Sequence, residues 1–208
     1  MYCAGRLLLF VQPVGDGITR AAVVTWMKRL SAVTSASFAD KTNLQDNGRR
    51  EQMEVKINAM CMNVPEEFRI LSAEERAGMQ FLENGEGEIL QDNGRHIMIS
   101  AAWKKHGILA NLLAGKKDAI RAMEKKTAAA MKSFGYECTG FLQEEIDGET
   151  AEAFRCRYNA QGTDMSAESM ITTHNGIHYY VHSYWRTESD AESTAVIREI
   201  LSNVKWLH

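Results

Sequence analysis

The chain has 208 residues, 45% hydrophobic and 25% charged, which suits one globular domain with a sizeable core and some extra segment, but not two comfortable domains. A formal net charge of -3 gives no overall pull toward nucleic acid or a membrane surface. No run approaches the roughly 18 apolar residues that a membrane-spanning helix needs.

Residues 1 to 52 read as an N-terminal extension. Leu7 to Val11 is shorter than the apolar core of a typical signal peptide and is soon interrupted by Pro13 and Gly15. Ser37-Phe38-Ala39 resembles a weak cleavage site, but Lys28 and Arg29 precede it, so a cytoplasmic location is expected over export. Ile18, Ala22, Val23, Trp26, Met27, Leu30 and Val33 recur at helical spacing and would share one apolar face, before a polar, linker-like run from Asp40 to Gln52. The alternative is a poorly ordered extension or an upstream mis-start, because Met27 and Met53 can each begin a shorter chain.

A single domain is expected from 53 to 208. Val55 and Ile57 alternate into a turn at Asn58-Ala59, and a second strand runs from Cys61 to Val64, ended by Pro65. Ser72 with Glu75 is a capping-box pair opening a short helix to about Met79. Glu88 to Gln91 and His96 to Trp103 flank the hairpin signal Asp92-Asn93-Gly94-Arg95. Leu109, Leu112 and Leu113 start a helical stretch. After Gly115, Ile120, Met123, Thr127, Met131 and Phe134 keep the period to Gly135, a suitable helix stop.

The most informative stretch runs from Tyr136 to Trp206. Asp147-Gly148, Gln161-Gly162 and Asn175-Gly176 separate four alternating segments, the signature of a β-meander closed by tight hairpins. Ser189 with Glu192 reads as a second capping box. Val196, Ile197, Ile200 and Leu201 form a buried helical stripe, and Val204 to Trp206 a last strand. The order ββαββαββββαβ, with mostly antiparallel strands, predicts an α+β layered domain.

Phe68 after Val64-Pro65, the hairpin, the long helix, the meander and the closing run from Ile200 to Trp206 resemble the PsbP-like superfamily over roughly residues 53 to 207. That superfamily takes its name from an extrinsic photosystem subunit and includes a Ran-binding nuclear import factor and many bacterial proteins without an assigned activity. The resemblance implies an α/β/α sandwich with a mostly antiparallel sheet. Its functions do not carry over, since no export signal of the photosynthetic type is clear and no binding residue matches position by position.

Two-residue turns fix which strand residues pair and which share a face. Phe141, Phe154, Ser169 and His182 should form one row, with Thr139, Cys156, Ala167 and Tyr184 beside it on the same face. The opposite face should carry Leu142, Ala153, Met170 and Val181, with Gly140, Arg155, Glu168 and Ser183 next to them. Arg155 and Glu168 are thus expected as a directly opposed, partly exposed ion pair.

His178, Tyr180, His182 and Tyr184 on one strand, beside Phe154 and Tyr158, make a candidate aromatic wall for a small molecule or lipid head group; the competing reading is that these rings pack under a helix. Two histidines four apart on a strand stand ~13 Å apart, too far for one metal ion. Ser169 beside His182 suggests a serine-histidine contact, but no Gly-x-Ser-x-Gly elbow accompanies it and a mid-sheet position is hard for substrate to reach. No metal motif and no Gly-rich phosphate loop occurs, so no catalytic residue, metal or cofactor is assigned. Cys3, Cys61, Cys138 and Cys156 show no C-x-x-C spacing and read as buried free thiols in a reducing compartment.

From Lys104 to Lys132 there are eight Lys or Arg against two acidic residues, and Lys117, Arg121, Lys125 and Lys132 fall on one helical stripe. That stripe is the candidate surface for an acidic protein partner, against the plainer reading of a solvated helix face. Without interleaved aromatics, nucleic acid is not expected. The leading functional expectation is a non-enzymatic interaction or accessory protein. The small-molecule or head-group module is the alternative, and an enzyme of unrecognised type the third.

Overall fold

The computed structural model describes residues 52–76, 86–105 and 115–207. The expectations placed on residues 1–51, on Leu109, Leu112 and Leu113, and on the helix end near Met79 lie outside these residues. Strands β1 (Gln52–Ile57) and β2 (Met60–Pro65) form a hairpin. Then come β3 (Arg69–Ile70), the single turn α1 (Ala73–Arg76), β4 (Gly87–Asp92) and β5 (Ile97–Lys105). The long helix α2 spans Lys116–Met131. The meander is β6 (Glu137–Ile146), β7 (Glu149–Ala160), β8 (Thr163–His174) and β9 (Ile177–Arg186), followed by α3 (Asp190–Ser202) and β10 (Lys205–Trp206).

Each meander turn is built as its sequence dictates. Asp147 and Gly148 have φ of 45° and 85°, and the Gln161-Gly162 and Asn175-Gly176 turns repeat the pattern of two positive φ values. That backbone twist matches the right-handed twist of the flanking strands. At the α1 entrance the backbone N–H of Ser72 donates to Glu75 while the Glu75 N–H donates to Ser72 Oγ, the reciprocal cap expected from their spacing. After α2, a single turn of 3-10 helix ends at Gly135 with φ 66°, where a side chain would be strained.

Seven strands make one antiparallel sheet in the order β3-β4-β5-β9-β8-β7-β6, and β1-β2-β10 make a second, three-stranded sheet. One face of the large sheet packs on α2 through Ile120 and Met131, with Phe154, Tyr158, Met165 and Tyr184 beneath. The other face is covered partly by α3, through Val196, Ile197, Ile200 and Leu201, and partly by the small sheet, through Val55, Ile57, Met60 and Met62. The α+β layering is as expected, but the far layer is part helix and part sheet. The small sheet arises because β10 returns to pair with β2, where Lys205 faces Cys61 and Trp206 faces Met60.

Four details depart from the sequence reading. The two-residue β3, paired with β4, carries too short a pattern to see. A bulge between Cys138 and Gly140 sets Cys138, not Thr139, opposite Cys156, and the flexibility of Gly140 accommodates it. Ser189 does not cap α3, since its hydroxyl donates instead to the carbonyl of Arg186. Arg155 does face Glu168, with Arg155 Nε donating to Glu168 at 2.7 Å, but the carboxylate is buried because Arg198 of α3 covers it and also donates to it, at 2.5 Å.

Candidate partner-binding groove

Helix α2 has two chemically distinct sides. Ile120, Thr127 and Met131 recur at helical spacing and are buried against the sheet, while Lys117, Arg121 and Lys125 are exposed on the other side. Lys132, in the following 3-10 turn, is also exposed. The Lys116 ammonium donates to the carbonyl of Thr150 at 2.7 Å and pins the start of the helix over β7.

Beside that pinned end lies a groove of roughly 220 Å³ between α2 and β6. Lys117, Ile120 and Arg121 line it from the helix, Phe141, Leu142 and Gln143 from β6, and Glu152 from β7. Phe141 is 45% exposed, an unusual position for a phenyl ring, and the Arg121 guanidinium sits 5.1 Å from its ring centroid. Phe141 also leans on the buried Phe154, with ring centroids 6.2 Å apart. The groove is smaller than the pockets of ~300 Å³ and more that enclose drug-sized ligands, and it is open to solvent, so its shape suits a protein surface better than a small molecule.

The stripe read from the sequence is therefore only partly one site. Lys117 and Arg121 meet in the groove, while Lys125 and Lys132 continue the positive surface along and beyond the helix. Phe141 stands in the expected row with Phe154, Ser169 and His182. Its exposure follows from β6 being, among the described residues, the last strand of the sheet.

The aromatic wall is built as one face, and most of it is core. Phe154, Tyr158, His182 and Tyr184 are each 3% exposed or less, whereas His178 and Tyr180 are half-buried. A ligand touching the first four would have to displace their packing. Burial alone lowers the pKa of His182 to about 4, leaving the ring neutral near pH 7. The expected contact is present, with Ser169 Oγ 2.8 Å from His182 Nδ1, but both residues are buried away from any substrate. Burial also pushes the Cys156 thiol up to about 12 and raises that of Cys138, which favours the protonated thiol in both. Among the described residues no cluster of three or more His, Cys, Asp or Glu is arranged to hold a metal ion.

On the opposite face lies a charge network around the buried Glu168. Glu168 accepts from both Arg155 and Arg198, and Arg198 also donates to Glu144 of β6. Burial raises the Glu144 pKa, with the neighbouring Arg198 cation pulling it the other way.

The seven-stranded antiparallel sheet, α2 on one face and α3 with a small sheet on the other, define a protein of PsbP-like fold. The chain is similar in structure to the cyanobacterial PsbP protein CyanoP of Synechocystis sp. PCC 6803, with TM-score 0.54 and 11% identity over 79% of this chain and 98% of CyanoP. It is also similar to LpqN, involved in cell envelope biogenesis of Mycobacterium tuberculosis, with TM-score 0.52 and 12% identity over 77% of this chain and 93% of LpqN. At these identities the likeness is one of fold. No protein-family model matches the chain, and no curated protein matches it in sequence. Among the described residues, no helix is long and apolar enough to cross a membrane.

Proposed function

We propose that the chain is a non-enzymatic interaction or accessory protein that docks an acidic protein partner on the exposed face of α2 and the groove beside it. The observation that carries this reading is the pairing of Arg121 with the exposed Phe141 ring, next to Lys117. An apolar ring flanked by two cations, on a protein of net charge -3, matches a partner that presents carboxylates around an apolar contact. A cytoplasmic setting accompanies the reading, and the free thiols of Cys61, Cys138 and Cys156 support it.

The test uses the full chain to retain proteins from native lysate. A retained protein is then purified and its affinity measured for wild type and for the triple variant Lys117→Glu, Arg121→Glu, Lys125→Glu. The variant should fold, because the buried Ile120 and Met131 each contribute about 2 kcal/mol while an exposed helix charge contributes a few tenths. Binding should weaken roughly tenfold or more, and wild-type binding should fall as salt is raised, because exposed charges are screened over ~8 Å at physiological ionic strength. A partner that binds the variant as tightly as wild type would remove α2 from the interface.

A further inference from the structure

We propose that β6 is an acceptor edge for strand addition. An extended acidic segment of a partner protein pairs with its outer backbone groups and presents carboxylates to Lys117 and Arg121. This rests on reading the α2–β6 groove as a docking site and specifies how the partner is held.

Strand β6 ends the seven-stranded sheet and, among the described residues, pairs only with β7. The register shows which of its backbone groups face outward. Ile146 and Glu149 flank the two-residue Asp147-Gly148 turn, so the Ile146 carbonyl accepts the hydrogen bond that closes it. Antiparallel pairs alternate between bonded and non-bonded, so Ile146, Glu144 and Leu142 bond toward β7. Glu145, Gln143 and Phe141 therefore turn N–H and C=O away from the sheet.

Side chains alternate with the same period, so the residues with outward backbone groups share one face. That face is the α2 face, because the Phe141 ring leans on Phe154, which packs with Ile120 and Met131 of the helix. A strand added ~4.8 Å beyond β6 would lay every second side chain beside Phe141, within the field of Lys117 and Arg121. Carboxylates belong at those positions. Glu145, on the same face near the turn, and Glu152, which lines the groove beside Gln143, restrict them to the stretch opposite Phe141.

Edge strands are commonly protected by Lys, Pro or a bulge. Strand β6 contains no Lys and no Pro, and its bulge lies between Cys138 and Gly140, leaving the stretch from Phe141 onward regular. A second copy is a poor occupant. Two-fold pairing of β6 with β6 would bring Lys117 and Arg121 of both copies together, so like charges would meet at the centre of the contact.

The probe is a fluorescent octapeptide of alternating Glu and Val, compared with the same peptide N-methylated at alternate residues. Methylation keeps every carboxylate and removes backbone donors. With the full chain at low ionic strength, the plain peptide should bind, the methylated one roughly tenfold or more weakly, and the amides of Phe141, Gln143 and Glu145 should exchange roughly tenfold more slowly on binding. Gln143→Pro should lower affinity comparably with melting unchanged, since proline is tolerated where an edge N–H faces away from the ladder. Should that variant unfold, the two peptides and the exchange rates decide without it.

Equal binding of both peptides, lost in Lys117→Glu/Arg121→Glu, would overturn strand addition and leave the basic docking face standing. Plain-peptide binding that survives this charge reversal would overturn the docking face as well. Binding of neither peptide would overturn strand addition. So would amides already protected in the free chain, with sedimentation then showing whether another segment of this chain or a second copy holds the edge.

Discussion

The buried His182 makes a quantitative claim about acid stability. Its ring is 2% exposed and its pKa falls from 6.5 to about 4 because burial disfavours the charged form. A depressed histidine pKa means the unfolded chain binds the proton more tightly, so stability is complete above pH 6.5 and is lost as pH falls from there toward 4. At 1.36 kcal/mol per pKa unit, the limit of the loss is on the order of 3 kcal/mol, most of it gone by pH 4.5. The perturbation is His182→Asn, which offers an amide to Ser169 and cannot titrate. Urea unfolding of both proteins at pH 7.5, 6.5, 5.5 and 4.5 separates the two costs. The shortened side chain adds a pH-independent offset, while the wild type alone carries the extra acid slope. Parallel curves for the two proteins between pH 6.5 and 4.5 would refute the assignment of that slope to His182.

Other substitutions probe the rest of the frame. Arg198→Met should cost about 3 kcal/mol or more in urea unfolding, because it strips one partner from the buried Glu168 carboxylate and another from Glu144. The double variant Glu168→Leu, Arg198→Met should lose less than the two single costs together, since the buried Glu168 carboxylate is gone, while Arg155 and Glu144, which lose their partners, are partly exposed and can be solvated. Gly148→Ala should cost about 1 kcal/mol in melting experiments through its φ of 85° alone, since nothing lies within 4 Å of where the new methyl would sit. A chain beginning at Met53 should still unfold cooperatively by calorimetry, because it keeps Met53, which packs against the core, and the buried Val55 and Ile57 of β1.

What could be read in advance depended on how local its cause is. A two-residue turn declares itself through Gly and a neighbouring Asn, Asp or Gln. Counting outward from it located Ser169 against His182 and Arg155 against Glu168. The same counting slipped at Thr139, because a bulge changes the register without a turn signature of its own and Gly140 alone does not announce one. The Ser189-Glu192 spacing was right for a cap, but a competing acceptor, the carbonyl of Arg186, lay within reach of the hydroxyl. Burial of Glu168 depends on where α3 docks, and exposure of Phe141 on β5 joining the meander at β9 and leaving β6 at the edge. Both are pairings between distant parts of the chain, which a local pattern does not encode.

Those distant pairings also explain why β6 is a good edge to bind. A loose edge strand must be ordered when a partner arrives, and that ordering lowers affinity. Strand β6 is instead fixed from its far side at several points. Arg198 of α3 holds Glu144, and Trp206 Nε1 donates to the carbonyl of Ile146 at 3.1 Å. Asp147, just beyond the strand, accepts from Lys205 at 2.8 Å and from the Trp206 backbone at 3.0 Å. The hydrogen bond from Lys205 is the largest of the causes that lower the Asp147 pKa, so the carboxylate is charged and the clamp formed near pH 7. All of these holds act on the turn end of the strand or on the face away from α2, so they order Phe141 and Gln143 without occupying them. The buried charges on one face of the sheet and the exposed ring on the other thus belong to one arrangement. The first fixes the strand's path, and the second is what the proposed partner strand would meet along it.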